Sequence, residues 1–212
     1  MSAEREWWLR VPGVLVRPRD VFLALRVTEK DDLDARQEPI LLITILAGIA
    51  GALLTTTVMH AFDPIGIDGV KIDALTLAVL VFVGGAISGA GGYFVAGGAL
   101  YLGTRGMGSL GRAQVSRQVL AFACVPVALS VPFTLAVGLA AFGGDLFRTG
   151  GSDTGAAGVA YTAFRLAFVA WSLGLLLLGV RTVYGWTWAR AAGSIGLLAV
   201  FLAGLAAASN VL

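Results

Sequence analysis

The sequence predicts an all-α polytopic membrane protein: a bundle of about five transmembrane helices behind an N-terminal interfacial amphipathic segment. Three observations predict it. Of 212 residues, 58% are hydrophobic and 13% charged, whereas soluble domains carry about 25% charge. The apolar residues gather in five runs, and the charges fall between them. A hydrocarbon core of about 30 Å takes roughly 20 helical residues to cross. An outer-membrane barrel would instead show alternating segments of about ten residues.

Residues 1–38 read as a cytoplasmic amphipathic and linker region. Glu4 and Glu6 occupy what would be the basic part of a signal peptide, and Pro12, Arg17, Pro18 and Arg19 interrupt any apolar core, so a cleaved leader is not expected. Trp7 and Trp8 are ring types enriched at headgroup level. From Asp20 to Arg26 the spacing predicts an interfacial helix. Val21, Phe22 and Leu25 would face the membrane or the bundle, with Arg19 and Arg26 reaching for phosphates. The following EKDDLDARQE reads as a solvated linker, with an acidic partner-binding patch as the alternative.

Residues 39–212 read as the membrane domain, with spans expected at 39–58, 75–102, 119–142, 161–180 and 189–208. Pro39 suits a first helical turn, where its missing N–H has no intrahelical partner. Pro126 and Pro132 should kink the third span. None of the five contains Asp, Glu or Lys.

Lys and Arg accumulate on the cytoplasmic side of short loops. The N-terminal region, the loop after the second span (Arg105, Arg112, Arg117) and the loop after the fourth (Arg181, Arg190) hold 12 basic residues, while the opposite face holds only Lys71 and Arg148. That face also carries Asp63, Asp68, Asp73, Asp145 and Asp153, and the two arginine loops carry no acid. The expectation is a plasma (cytoplasmic) membrane protein with its N-terminus inside and its C-terminus outside. Arg105, Arg112, Arg117, Arg181 and Arg190 become candidate contacts for lipid or for a partner. The near absence of Lys, with abundant Ala and Gly, fits a GC-rich coding bias.

In the second span Gly85 and Gly89 form a GxxxG pair, and Ser88 and Gly92 extend a small-residue stripe that predicts close helix packing or self-association. Ser88 has no base in reach in any later span, so it is no protease nucleophile. GTRGMGS, 103–109, has neither the strand nor the Lys of a nucleotide loop and reads as a flexible connection. His60, near Asp63, and Cys124 stand without a ligand cluster, so neither metal nor cofactor is expected. A net charge of +2 gives no reason to expect a nucleic-acid partner. Arg165 is the one charge well inside a predicted span, either snorkelling to the interface or meeting a partner.

The basic lead-in Pro18–Phe22, ARQEP at Ala35–Pro39, SRQVLAFACVPVAL at Ser116–Leu129 and LGVRTVYGWTWARAAG at Leu178–Gly193 together resemble the prokaryotic branch of the Yip family, the Ypt/Rab-interacting membrane proteins. The resemblance covers nearly the whole chain. It implies a cytosolic N-terminus, five helices and a very short exoplasmic C-terminus. Eukaryotic relatives bind prenylated small GTPases and shape transport membranes, but the Asp-Leu-Tyr-Gly-Pro type signature is missing here and that function does not transfer. Two functions follow as expectations. The first is a non-enzymatic module that organises or scaffolds membrane by binding lipid, a membrane-protein partner or a second copy of itself. The alternative is a small transporter or channel with a pathway near Arg165 and the glycine-rich second span.

Overall fold

The computed structural model describes residues 9–27, 37–53, 66–67, 70–71, 74–148, 152 and 154–209. Trp7, Trp8, the linker before Gln37, the end of the first expected span at 54–58, His60, Asp63, Asp68, Asp73 and Asp153 lie outside them.

Two short helices open the chain, α1 (Arg10–Val16) and α2 (Pro18–Val27). Pro12 sits in the first turn of α1, where its missing N–H has no intrahelical partner in any case. Pro18 then separates the two helices, because its ring disfavours helical backbone in the residue before it. Arg17 accordingly adopts φ −134° and ψ 62°. The irregular mixture of Arg, Pro and apolar residues gives no clear sign of α1, which has Pro12 in its first turn and is followed by Pro18. In α2, Val21, Phe22 and Leu25 are 7%, 0% and 2% exposed. The amphipathic face therefore turns toward protein.

Next come α3 (Gln37–Leu53), with Pro39 in its first turn, and a two-residue antiparallel pair, β1 (Gly66–Ile67) with β2 (Val70–Lys71). The remaining elements are α4 (Ala74–Gly106), α5 (Ala113–Ala123), α6 (Val125–Phe142), a 3₁₀ turn at Gly143–Phe147, α7 (Gly155–Tyr184) and α8 (Trp188–Ser209). The expected third span is thus interrupted at Cys124, just before Pro126, which has no N–H for the carbonyl four residues back. Pro132 stays inside α6.

Among the described residues, Leu75–Gly106, Ala113–Phe147 and Gly155–Tyr184 are long and apolar enough to cross a membrane, and Ile40–Leu53 and Trp188–Ala203 are shorter apolar helices. The fold is an all-α polytopic membrane protein. At about 1.5 Å per residue, the 33 residues of α4 exceed a core of about 30 Å, so the helix tilts or its ends enter the headgroup layers. Leu75, Val79, Phe82 and Ile87 on α4 are exposed. Such a surface is unfavourable in water and at home against acyl chains, which are as apolar as leucine.

The chain forms two compact units. One comprises Met1–Thr44, Gly91–Val125 and Ser172–Leu212. Its core includes Phe22, Leu25, Ile40, Leu100, Val119, Phe122 and Val180. Here Gly179 lets α7 approach closely: a Cβ would lie 2.9 Å from the Phe22 ring and from Val119 Cγ1.

The other unit comprises Ile45–Ala90 and Pro126–Trp171. Within it α3 and α4 meet backbone to backbone. A Cβ on Gly85 would lie 2.7 Å from Ile49 Cα, and one on Gly48 would collide with the Gly85 carbonyl and the Gly89 backbone. Tyr161 Oη of α7 donates to the Thr134 carbonyl of α6 at 3.0 Å. Its ring packs edge-on to Phe142, 5.6 Å between centroids.

Candidate functional site

All five arginines singled out from the loops fall in the first unit, as do Arg19 and Arg26. Two glycine turns shape this region. At the end of α4, Gly108 takes φ 82°, its N–H bonds to the Arg105 carbonyl at 2.9 Å, and the Ser109 N–H reaches back to the Thr104 carbonyl at 3.0 Å. At the end of α7, Gly185 takes φ 66°, and the Trp186 N–H reaches the Arg181 carbonyl at 3.0 Å. Both are Schellman caps, which need a residue that tolerates positive φ one place beyond the helix. The stretch read as a flexible connection thus begins as a hydrogen-bonded helix stop. Arg105 and Arg181 stand in the last turns of their helices, where a cation offsets the partial negative charge of unpaired carbonyls.

Aromatic rings then set the arginines. Arg181 lies over the Trp188 ring at 4.3 Å and Arg190 over Trp186 at 4.5 Å. Trp186 stacks in turn on Tyr184, 5.0 Å between centroids. Stacking uses the face of a guanidinium and leaves its N–H edge to bond elsewhere. The edge of Arg190 is committed: Nε donates to the Met107 carbonyl at 2.8 Å and Nη2 to the same oxygen, tying α8 to the α4 cap. Arg105 is exposed, donates to the Tyr101 hydroxyl and lies over that ring at 5.8 Å.

Arg117 is half-buried over Phe94 at 5.2 Å and Tyr93 at 5.9 Å, with a buried Nε that has no hydrogen-bond partner. Arg112 is exposed at the start of α5. The region therefore presents guanidinium groups of several kinds, some fixed within the protein and some turned outward.

Arg19, Arg26 and Arg181 line one cleft of about 220 Å³ with Thr182, Gly185 and Trp186. A second, more apolar concavity of about 200 Å³ lies between Leu25, Leu110, Val115 and Tyr184, flanked by Arg26 and Arg112. The sequence puts Arg19 and Arg26 on an amphipathic helix but gives no sign that they stand beside Arg181. The pairing depends on α2 docking against α7, and the signal available was the buried apolar triplet of α2 opposite Gly179.

The other candidates are dispersed. Gly85 and Gly89 are buried against α3. Ser88 is exposed, its Oγ donating to the Gly85 carbonyl at 2.9 Å, and a Cβ on Gly92 would meet open space. Gly48 is the partner glycine, on a helix whose own sequence shows no GxxxG. Arg165, in the second unit, is half-buried with its guanidinium over the Tyr161 ring at 5.8 Å. Cys124 is a free thiol at the α5–α6 break. Among the described residues no three His, Cys, Asp or Glu side chains come together as a metal site would require.

Compared with known families, the sequence matches the family model described as the Yip1 domain over residues 13–208. The chain belongs to the Yip1-domain family. The match takes in the end of α1 and all of α2. Yip1-domain proteins form a non-enzymatic family of membrane proteins. No curated protein and no solved structure matches the chain significantly.

Proposed function

We propose that this Yip-type protein is non-enzymatic and organises or scaffolds membrane by binding anionic lipid, or a membrane-protein partner, through its arginine-rich face. The gathering of Arg105, Arg112, Arg117, Arg181 and Arg190 in one unit, on the loops and helix ends that the basic bias assigns to the cytoplasm, carries the reading. In this reading residues 1–38 are cytoplasmic, residues 39–212 are a five-helix domain of the bacterial plasma membrane, and the C-terminus is outside.

A cation near an anionic leaflet contributes about 1 kcal/mol, so two exposed arginines together shift association by one to two orders of magnitude. Arg105→Gln with Arg112→Gln should therefore weaken binding of anionic over zwitterionic lipid in nanodiscs while helical content stays unchanged. Unaltered binding refutes the reading. Reconstituted protein should pass no ion or solute above background, whereas flux abolished by Arg165→Ala would replace scaffolding with transport.

A further inference from the structure

We propose that the cleft between α2 and the α7–α8 turn binds a phosphomonoester dianion, carried on a membrane lipid headgroup or as a free phosphate ester. The inference deepens the arginine-face reading by naming one site on that face and its ligand chemistry.

Arg19, Arg26 and Arg181 converge on this cleft, and the hydroxyl-bearing Thr182 lines it with them. Among the described residues no carboxylate does: Asp20, next to Arg19 in sequence, is not one of those that line it. Among the described residues none of the three arginines forms an ion pair. Three like charges drawn into one concavity repel each other and call for a counter-anion. The C-termini of α2 and α7 oppose an anion here, but each contributes only about half a negative charge, and three full positive charges outweigh them.

The donors are disposed to bond. Arg181 is held by its face over Trp188, leaving its in-plane N–H groups, and its buried Nε has no hydrogen-bond partner. The Arg26 guanidinium lies beside the Gly185 turn: a Cβ built there would be 3.6 Å from Nη1 and 3.8 Å from Nη2, an ordinary van der Waals contact. A guanidinium pairs with two phosphate oxygens at a time. Three guanidiniums and a hydroxyl need more acceptors than the two free oxygens of a phosphodiester, and a monoester presents three with twice the charge. Leu23 and the Trp186 ring add apolar wall, which suits a headgroup entering from the membrane surface.

The test places the full chain in nanodiscs of zwitterionic lipid doped with either phosphatidic acid, a phosphomonoester, or phosphatidylglycerol, a phosphodiester, and measures retention of each lipid by native mass spectrometry. Wild type should prefer the monoester by about tenfold, the scale of one charge-assisted hydrogen bond. Arg19→Gln with Arg26→Gln should abolish the preference. Arg105→Gln with Arg112→Gln should weaken both lipids alike and leave their ratio standing. Arg19 is exposed, so Arg19→Gln alone tests the cleft in a folded background, and Arg26→Lys should restore part of the preference.

In detergent without lipid, thermal stabilisation by glycerol 3-phosphate that Arg19→Gln removes would assign the site to free phosphate esters. Stabilisation by short-chain phosphatidic acid alone would assign it to lipid. Equal retention of the two anionic lipids, or a preference that survives the cleft variants, overturns the inference and leaves the broader reading intact. No preference for either over zwitterionic lipid overturns both.

Discussion

Ser116 Oγ and Tyr184 Oη lie 2.9 Å apart although 68 positions separate them in the chain, and they join the first turn of α5 to the last turn of α7. Ser116 is fully buried. Tyr184→Phe leaves its hydroxyl without that partner, a loss of about 1 to 3 kcal/mol. Because the two groups form one bond, the double variant with Ser116→Ala should be less destabilised than the two single losses added together. Unfolding in detergent measures this double-mutant cycle, and strict additivity would show that the hydroxyls do not interact.

Gly48→Leu or Gly85→Leu should lower the thermal midpoint far more than Gly84→Leu or Gly91→Leu. A Cβ at the first two sites runs into neighbouring backbone, and at the last two it meets open space. Overpacking costs about 1 to 3 kcal/mol even where side chains can shift, and backbone cannot shift as side chains do. Equal midpoints across the four variants would place the contact of α3 with α4 elsewhere.

Phe22→Ala should cost about 3 to 5 kcal/mol as a core truncation, while Leu23→Ala, at a residue 40% exposed, should stay within about 0.5 kcal/mol. A tryptophan introduced at Phe22 should also escape quenching by brominated lipids. Efficient quenching would mean that α2 lies with its apolar face in the bilayer rather than on Val119 and Gly179.

Single cysteines in a Cys124→Ala background should report the topology when probed on intact cells with an impermeant thiol reagent. Ser109 and Ser152 are natural loop positions for this, but both are buried, with Oγ of Ser109 accepting from the Gly111 N–H and that of Ser152 donating to the Leu146 carbonyl. Leu110, fully exposed, and Asp145, exposed in the 3₁₀ turn, are better reporters. Position 145 should label and position 110 should not. The reverse pattern inverts the orientation.

The helical, membrane-spanning class was legible because it depends on sums. Hydropathy over some twenty residues decides whether a segment leaves water, and no distant contact alters that total. Helix ends were legible only in part. Gly108 and Gly185 carry the stop signal in their own conformational freedom, yet in a glycine-rich chain they do not stand out from glycines such as Gly84 or Gly92 that do no such work. The break at Cys124 was half visible, since two prolines predicted distortion but only packing decides which one interrupts the helix.

What the sequence by itself determined is the class of the fold, the family and the segregation of positive charge, because each is a property of local runs of residues. Only the tertiary structure decided that the apolar face of α2 turns inward, that Gly48 answers Gly85 and Gly89, and that Arg190 is bound to a carbonyl while Arg181 keeps its edge. The physical reason is that an arginine's chemistry depends on what lies within a few ångströms of its guanidinium. In a bundle those neighbours come from segments tens of residues away, brought together by glycines too small to announce which helix they will touch.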